Sequence, residues 1–222
     1  MAGNRPANLS FFTRQGRHFA SLVILFLPLY FLAIWLGVNP AWSVYALLAA
    51  LVHQGFVMLT WRSELLGNRV TRAIGRSGFY IYGALFFIFF ISRLAILVAA
   101  SLQSPHSLPL PAVFWWTVSA AAIFFFTWTI YSVFRYFGVS RALGADHFYP
   151  AYRSKPFVRK GIHRYTPNAM YTFGTLGFLL PGLILRSDIG LALGLYNYLA
   201  VWLHYWATEL PDMEYIYGEL PD

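Results

Sequence analysis

The chain has 222 residues, of which 59% are hydrophobic, 20% aromatic and only 11% charged. Soluble domains carry about 25% charged residues, so this composition excludes an ordinary soluble domain and predicts an integral membrane protein. The absence of cysteine excludes disulfide bonds, thiolate nucleophiles and cysteine-ligated metals. The formal net charge of +8 comes from basic residues in the gaps between apolar runs, which favours membrane orientation over nucleic-acid binding.

Six apolar segments are long enough, or nearly so, to cross a bilayer, which requires about 20 residues per helix. We therefore predict an all-α polytopic protein with about six transmembrane helices. Residues 1–138 are expected to form a membrane scaffold of four helices. Residues 139–222 are expected to supply a long polar loop, the last two helices and a cytoplasmic tail, all within one integrated domain. The six segments are residues 19–36, 42–61, 79–102, 113–137, 169–185 and 189–207.

Basic residues are concentrated in alternate connections between these segments. The N-terminal tail and the second and fourth connections are basic, whereas the first, third and fifth connections have little or no net positive charge. With six spans, every basic connection lies on one side of the membrane, so the positive-inside rule predicts that both termini and the site are cytoplasmic. The basic residues are Arg5, Arg14, Arg17, Arg62, Arg69, Arg72, Arg76, Arg141, Arg153, Lys155, Arg159, Lys160 and Arg164.

Few polar residues interrupt the first four apolar segments. Arg93 lies inside the third, where a charge is costly and by default marks a function or a partner; a wet cavity or outward snorkelling would also explain it. His53 and Gln54, in the second segment, suit hydrogen bonds between helices. Gly190 and Gly194, in the sixth, have the spacing of closely packed helices. The candidate chemistry is therefore sought mainly in the C-terminal third.

The connection between the fourth and fifth segments, residues 138–165, is too long for a plain linker. It interleaves aromatic and basic residues, which predicts an amphipathic cytoplasmic loop at the level of the lipid headgroups. Simple adhesion to the membrane surface is the alternative. The adjacent Asp146 and His147 are candidate acid–base groups. The candidate ligands for a lipid phosphate are Arg153, Lys155, Arg159 and Lys160.

Two polar motifs flank the last two apolar segments. The first covers residues 161–174 and contains the run Asn-Ala-Met-Tyr at 168–171. The second covers residues 209–218 and begins with Glu209. Because the fifth segment starts on the side of the membrane where the sixth ends, the two motifs are predicted to lie at similar depth.

These motifs resemble those of the phospholipid methyltransferase family, the phosphatidylethanolamine N-methyltransferase group, which is related to the isoprenylcysteine carboxyl methyltransferases. The phospholipid branch has Asn-Pro-Met-Tyr in its first motif, and here Ala169 replaces the proline. The Arg-His pair that precedes this proline in the carboxyl methyltransferases is absent. The second motif usually has two glutamates, of which Glu209 matches the first and Leu210 replaces the second. The resemblance covers roughly residues 140–220.

The resemblance implies that S-adenosylmethionine (SAM) donates a methyl group to the amine headgroup of a membrane phospholipid, phosphatidylethanolamine or its methylated forms. No metal is expected to take part. Two alternatives stay open: a different membrane acceptor, such as a thiol, a prenylcysteine carboxylate or another lipid, and a non-enzymatic membrane module. The candidate catalytic residues are Glu209, His204, Asp146 and His147. The candidate cofactor-binding residues are Gly161, His163, Arg164, Tyr165, Asn168, Met170, Tyr171, Gly174 and Glu209.

The chemical groups of SAM match these residue types. Glu209 suits its ammonium group or ribose, because a buried polar group requires a partner. His163, Arg164 or Asn168 would donate hydrogen bonds to its carboxylate. Aromatic faces suit the adenine and the cationic sulfonium. The aromatic candidates are Tyr165, Tyr171 and Trp206.

Overall fold

The computed structural model describes residues 9–104 and 108–218, and every regular element in these ranges is a helix. Arg5, counted above in the N-terminal tail, lies outside the described residues. The longest helices are α1 (Gln15–Trp35), α2 (Ala41–Gly67), α4 (Ser77–Gln103), α5 (Ala112–Ser132) and α11 (Asp188–His204). The shorter ones are α3 (Arg69–Ile74), α6 (Val139–Ala142), α7 (Ala145–Phe148), α8 (Pro150–Arg153), α9 (Ala169–Thr172), α10 (Leu180–Ile184) and α12 (Leu210–Tyr217). Two π-helical turns, Val133–Phe137 and Tyr205–Glu209, and two 3₁₀ turns, Gly161–Arg164 and Gly174–Phe178, join them.

Four helices in the described ranges are long and apolar enough to cross a membrane: α1, α2, α4 and the continuous helix Ala112–Phe137 that contains α5. They coincide with the first four predicted segments. The predicted fifth segment, residues 169–185, is instead a chain of three short helices, α9, the 3₁₀ turn and α10. Gly174, Gly177 and Pro181 explain the breaks, because glycine and proline are the weakest helix formers. The sixth segment forms α11, of 17 residues, so the count of six crossings stays a prediction.

The bundle is built around α2, α4 and α11, with α1 packed against α2 and α11. Helix α5 contacts α10 and the 3₁₀ turn Gly174–Phe178. The glycines of α11 pack closely against neighbouring helices, as their spacing predicted. A Cβ atom on Gly190 would lie 2.1 Å from Oγ of Ser101, and one on Gly194 would lie 2.6 Å from the carbonyl oxygen of Phe178. These glycines therefore serve helix contact.

The basic connections meet at one end of the bundle. Arg14 Nη1 donates to the carbonyl of Trp206 at 2.9 Å, which joins the start of α1 to the end of α11. The amide of Ile162 donates to Oγ of Ser132 at 3.1 Å, which joins the loop to the end of α5. This grouping matches the alternation of charge along the chain. The side of the membrane that this end faces stays a prediction.

The predicted amphipathic loop differs in structure between its two halves. Residues 141–148 are almost entirely buried, and Leu143 and Phe148 pack with Trp61 and Phe79 at the ends of α2 and α4. Phe148 therefore covers the helix ends instead of lying among lipid headgroups. Residues 150–160 are mostly exposed, and only this half presents the basic side chains that were predicted to face the membrane surface.

Candidate functional site

A cavity of about 530 Å³ lies at the end of the bundle where the basic connections meet. We call it the polar cavity. Its volume is in the range of small-molecule and cofactor sites, about 300–1,000 Å³. The candidate residues in its wall are Asp146, His147, Arg159, His163, Arg164, Tyr165, Asn168, Met170, Tyr171 and Glu209. The remaining lining residues are Trp61, Phe137, Arg141, Ala142, Gly144, Phe157, Val158, Thr166, Pro167, Tyr205, Leu210 and Met213.

A second cavity, of about 270 Å³, lies inside the bundle between α2, α4, α5 and α11. We call it the apolar cavity, because phenylalanine and aliphatic side chains form most of its wall. His204 and Gly174 are the candidate residues found in this wall but not in that of the polar cavity. At its outer edge, Phe87 on α4 and Phe134 beyond α5 have exposed fractions of 44% and 71%. The cavity therefore approaches the apolar outer surface between these two helices.

The two cavities share part of their walls. Glu209 and Tyr171 line both, and the Tyr171 hydroxyl donates a hydrogen bond to Oε2 of Glu209. Trp61, Ala142 and Met170 complete the common wall. A molecule in the polar cavity and a molecule in the apolar cavity would therefore meet beside the Glu209 carboxyl. Asn168 and Glu209, which come from the two distant motifs, line the same polar cavity.

The π-helical turn Tyr205–Glu209 sets the position of Glu209. Its carbonyl groups accept hydrogen bonds from other helices: Ala207 O receives them from Gln15 Nε2 at 2.9 Å and from Arg62 Nη2 at 3.1 Å. Single π-helical turns within α-helices are rare and often occur at functional sites. The start of α1 and the end of α2 therefore hold the turn that ends in Glu209.

A buried ion pair behind the wall of the polar cavity supports the lining residue His147. Arg62 Nε donates to Oδ1 of Asp212 at 2.9 Å, and both side chains are fully buried. His147 Nε2 lies 3.3 Å from Oδ2 of Asp212, and its ring stacks on Trp61 with 4.2 Å between centroids. His147 is therefore held in place by a carboxylate and an indole.

Asp146, the neighbouring candidate, is buried in the wall of the polar cavity. Arg141 Nε lies 3.6 Å from its Oδ2 atom, and the Tyr217 hydroxyl donates to the same oxygen. Its Oδ1 atom has no hydrogen-bond partner among the described residues. Burial raises the pKa of Tyr217 to about 12, with the Asp146 carboxylate acting in the same direction. This tyrosine is therefore a hydrogen-bond donor at neutral pH.

The polar cavity also changes the acidity of two candidate groups. Burial raises the pKa of the Glu209 carboxyl from 4.5 to about 8, and the negative charges of Asp212 and Asp146 act in the same direction. Burial lowers the pKa of His163, whose ring stacks on Phe137 with 5.0 Å between centroids. Its Nε2 atom has no partner among the described residues. Glu209 and His163 are therefore both favoured in their neutral forms near pH 7.

Several candidates lie outside the lining of both cavities. Gly161 has φ +60°, and a Cβ atom there would lie 2.5 Å from Oγ of Ser132, so it packs closely against α5. Arg153 donates to the carbonyls of Asp146 and His147 at 2.8 and 3.2 Å. Lys155 lies 3.8 Å from the centre of the Tyr152 ring. The residues outside both linings are Gly161, Arg153, Lys155, Lys160 and Trp206.

Sequence reasoning did not select Trp61, Phe137, Arg141 or Tyr205, all of which line the polar cavity. Nothing in their local sequence distinguishes them from membrane-interface aromatics or from basic loop residues. Their role follows from the folding of α2, α5 and α11 around one cavity.

The side chains of the polar cavity fit SAM. A carboxyl group, the imidazole of His163 with an unpartnered Nε2 atom, and the amide of Asn168 supply the polar groups. Tyr165 and Tyr205 supply aromatic faces. In the described part of the chain, no cluster of three histidine, aspartate or glutamate residues has an arrangement that would hold a metal ion.

A family model described as Phospholipid methyltransferase matches residues 114–220. No curated protein and no solved structure matches the chain. The matched segment contains both motifs and every lining residue of the polar cavity except Trp61. The residues that α2 and α4 contribute to the apolar cavity precede the match.

Proposed function

Since the family model described as Phospholipid methyltransferase matches residues 114–220, we propose that the chain is a SAM-dependent membrane methyltransferase that methylates the amine headgroup of a phospholipid, phosphatidylethanolamine or its methylated forms. The observation that carries this proposal is the common wall of the two cavities at Tyr171 and Glu209. A polar cavity suits a water-soluble donor, and an apolar one suits a lipid. The methyl group would pass from the donor to the acceptor where the two cavities meet.

The polar cavity is the proposed SAM site. Glu209 would pair with a cationic group of the cofactor, and His163, Arg164 or Asn168 would donate to its carboxylate. Tyr165 would stack on the adenine. When bound, SAM supplies a methyl group on a cationic sulfur as an electrophile. The protein contributes alignment with the acceptor, which can be worth effective molarities of about 10⁵ M or more.

The apolar cavity is the proposed acceptor site. Helices α4 and α5 are not among the helix pairs in extended contact within the described residues. The gap between them, flanked by Phe87 and Phe134, would let a lipid enter from the bilayer. The acceptor nitrogen must be neutral before it attacks, so its ammonium form must first lose a proton. A cytoplasmic active site at the level of the lipid headgroups is part of this proposal.

Glu209 is the group that we propose to accept the proton from the acceptor ammonium. A general base works best when its pKa lies near the working pH, and burial raises that of Glu209 to about 8. The hydrogen bond from Tyr171 orients one of its oxygens. His204 is the second choice, since it lines the apolar cavity and both of its ring nitrogens lack partners among the described residues. Asp146 and His147 are proposed to shape the donor site.

The test is transfer of label from methyl-labelled SAM into the lipids of membranes that contain the protein. We expect labelled monomethyl or dimethyl phosphatidylethanolamine or phosphatidylcholine. Glu209→Gln should lower the rate by about ten-fold or more, because a charge-assisted contact is lost. Glu214→Gln, a matched change on α12 outside both cavity linings, should retain activity. Absence of label in every lipid would contradict the proposal, and label in a different acceptor class would redirect it.

A further inference from the structure

Arg93 is a buried cation in the wall of the apolar cavity. Its exposed fraction is 2%, and it lies about 24 Å along α4 from Ser77, well inside the helix. Its Nε atom donates to Oδ1 of Asn197 at 2.8 Å, Nη2 to the carbonyl of Asn197 at 3.4 Å, and Nη1 to Nδ1 of His53 at 3.3 Å. No acidic side chain in the described ranges forms an ion pair with it.

This arrangement leaves hydrogen-bond donors without acceptors. A guanidinium has five N–H groups, of which the three contacts above use three, and the guanidinium also lies over the Phe178 ring, 4.8 Å from its centroid. Since a guanidinium can only donate, Nδ1 of His53 accepts, and a neutral His53 ring then has its proton on Nε2. That Nε2 atom is buried and has no partner among the described residues, and the exposed fraction of His53 is 4%. Buried donors without acceptors are unfavourable, so this position suits a ligand that supplies oxygen atoms.

The position of this cluster indicates which part of a ligand it would meet. Asn197, which holds Arg93, lies on α11 twelve residues before Glu209, the last residue of the π-helical turn, which corresponds to about 18 Å of helical rise. A lipid with its nitrogen beside Glu209 extends into the apolar cavity toward Arg93. In a glycerophospholipid the phosphate follows the nitrogen after about 5 Å, and the acyl esters follow after about 10 Å, by simple bond lengths. The Glu209 side chain and the hydrogen bonds at the two ends span part of the remaining distance, so the esters are the nearer match. Both groups present acceptor oxygens.

The cluster is also separate from the donor machinery. Arg93 and His53 lie on α4 and α2, which precede the segment that matches the family, whereas nearly all of the polar cavity falls within it. Recognition of the acceptor would therefore depend on the part of this chain that lies outside the matched domain.

We propose that Arg93 and His53 form a membrane-embedded subsite that binds the acceptor oxygens joining the lipid headgroup to its tails, either phosphate or ester carbonyl. This inference rests on the proposed function for the identity of the ligand as a methyl acceptor, but the subsite binds lipid whether or not methyl transfer occurs. It locates lipid recognition inside the bundle and not at Arg153, Lys155 and Lys160, the basic loop residues outside both cavity linings.

The test measures lipid binding by native mass spectrometry of the purified full chain. Three lipids are compared: diacyl phosphoethanolamine, its dialkyl ether analogue without ester carbonyls, and a long-chain amine without phosphate or ester. We expect Arg93→Gln to weaken binding of the diacyl lipid by about ten-fold to a hundred-fold, while binding of the simple amine changes by less than about two-fold. The control Arg135→Gln removes an exposed arginine outside both cavity linings.

The comparison among lipids identifies the group bound. A loss confined to the diacyl lipid assigns Arg93 to the ester carbonyls, and a loss for both phosphate lipids assigns it to the phosphate. Equal loss for all three lipids, or none, overturns the proposal. If Arg93→Gln fails to fold, judged by loss of its thermal unfolding transition in detergent, His53→Phe removes one donor and must show the same selectivity. Selective binding without methyl transfer would leave this inference standing and contradict the proposed function.

Discussion

At the scale of the residue, Glu209 combines a position between two cavities with an altered acidity. Its carboxyl group, whose ordinary pKa is 4.5, has a pKa of about 8 because of burial and the nearby Asp212 and Asp146. At pH values between 4.5 and about 8, the Glu209 carboxyl of the folded protein keeps a proton that the same carboxyl in the unfolded chain has released. The neutral form therefore predominates at pH 7, and pairing with a cation requires loss of this proton.

This protonation predicts a pH dependence for SAM binding. As pH rises from 6 to 8, the affinity of the wild-type protein should increase by up to about ten-fold per pH unit, and it should level off above about 8 as the carboxylate form is reached. Isothermal titration calorimetry at several pH values measures this affinity for SAM. In the Glu209→Gln variant, any change of SAM affinity with pH comes from the titration of SAM itself. The difference between the wild-type and variant pH profiles is therefore the contribution of Glu209. Identical pH profiles for the wild type and the variant would contradict a direct contact between Glu209 and a cationic group of SAM.

At the scale of the element, the turn that leads into the first motif depends on Gly161. Its φ of +60° lies in the left-handed region, and a Cβ atom would approach Ser132 Oγ to 2.5 Å. A side chain would have to shift this turn away from α5. The geometry therefore favours a structural role for Gly161 over the cofactor contact implied by the family resemblance.

We predict that Gly161→Ala lowers the stability of the protein by about 2 kcal/mol or more, since the left-handed conformation alone is unfavourable by about 1–2 kcal/mol for alanine. Thermal unfolding in detergent measures the change. Gly16→Ala is the matched control, because nothing lies within 4 Å of a Cβ atom at this position in α1 and alanine is the better helix former. Weaker SAM binding with unchanged unfolding would instead support a direct cofactor contact.

At the scale of the whole molecule, the proposed methyl transfer depends on the junction between two cavities that different helices build. Ala142 on α6 lines both of them. A large side chain at this residue would obstruct the junction without removing a polar group from either cavity. Binding of the two substrates and transfer between them should therefore be separable.

We predict that Ala142→Phe retains S-adenosylhomocysteine binding within about five-fold and lowers methyl transfer by about a hundred-fold, because misplacement by an ångström can have that effect. Calorimetry and the labelling assay measure the two quantities. Ala151→Phe makes the same change on the exposed helix α8 and should affect neither. Unimpaired transfer in Ala142→Phe would show that the donor and acceptor do not meet at this wall.

Much of the outer architecture could be predicted from local composition. The first four apolar segments became the four membrane-length helices because apolar length is itself the physical requirement for a span. The fifth segment was predicted less well, because total hydrophobicity does not register the breaks at Gly174, Gly177 and Pro181. The buried half of the loop around Phe148 was also missed, since an aromatic residue suits both a lipid interface and a protein core.

By itself the sequence determined the membrane class, the resemblance carried by two motifs, and the residue types from which a SAM site could be built. Only the tertiary structure decided that Asn168 and Glu209 share a wall, that Arg62 and Gln15 hold the turn before Glu209, and that Arg93 faces an apolar cavity. The physical reason is that apolar periodicity and motif chemistry are local properties of the chain. A cavity exists only where helices distant in sequence fail to fill the space between them.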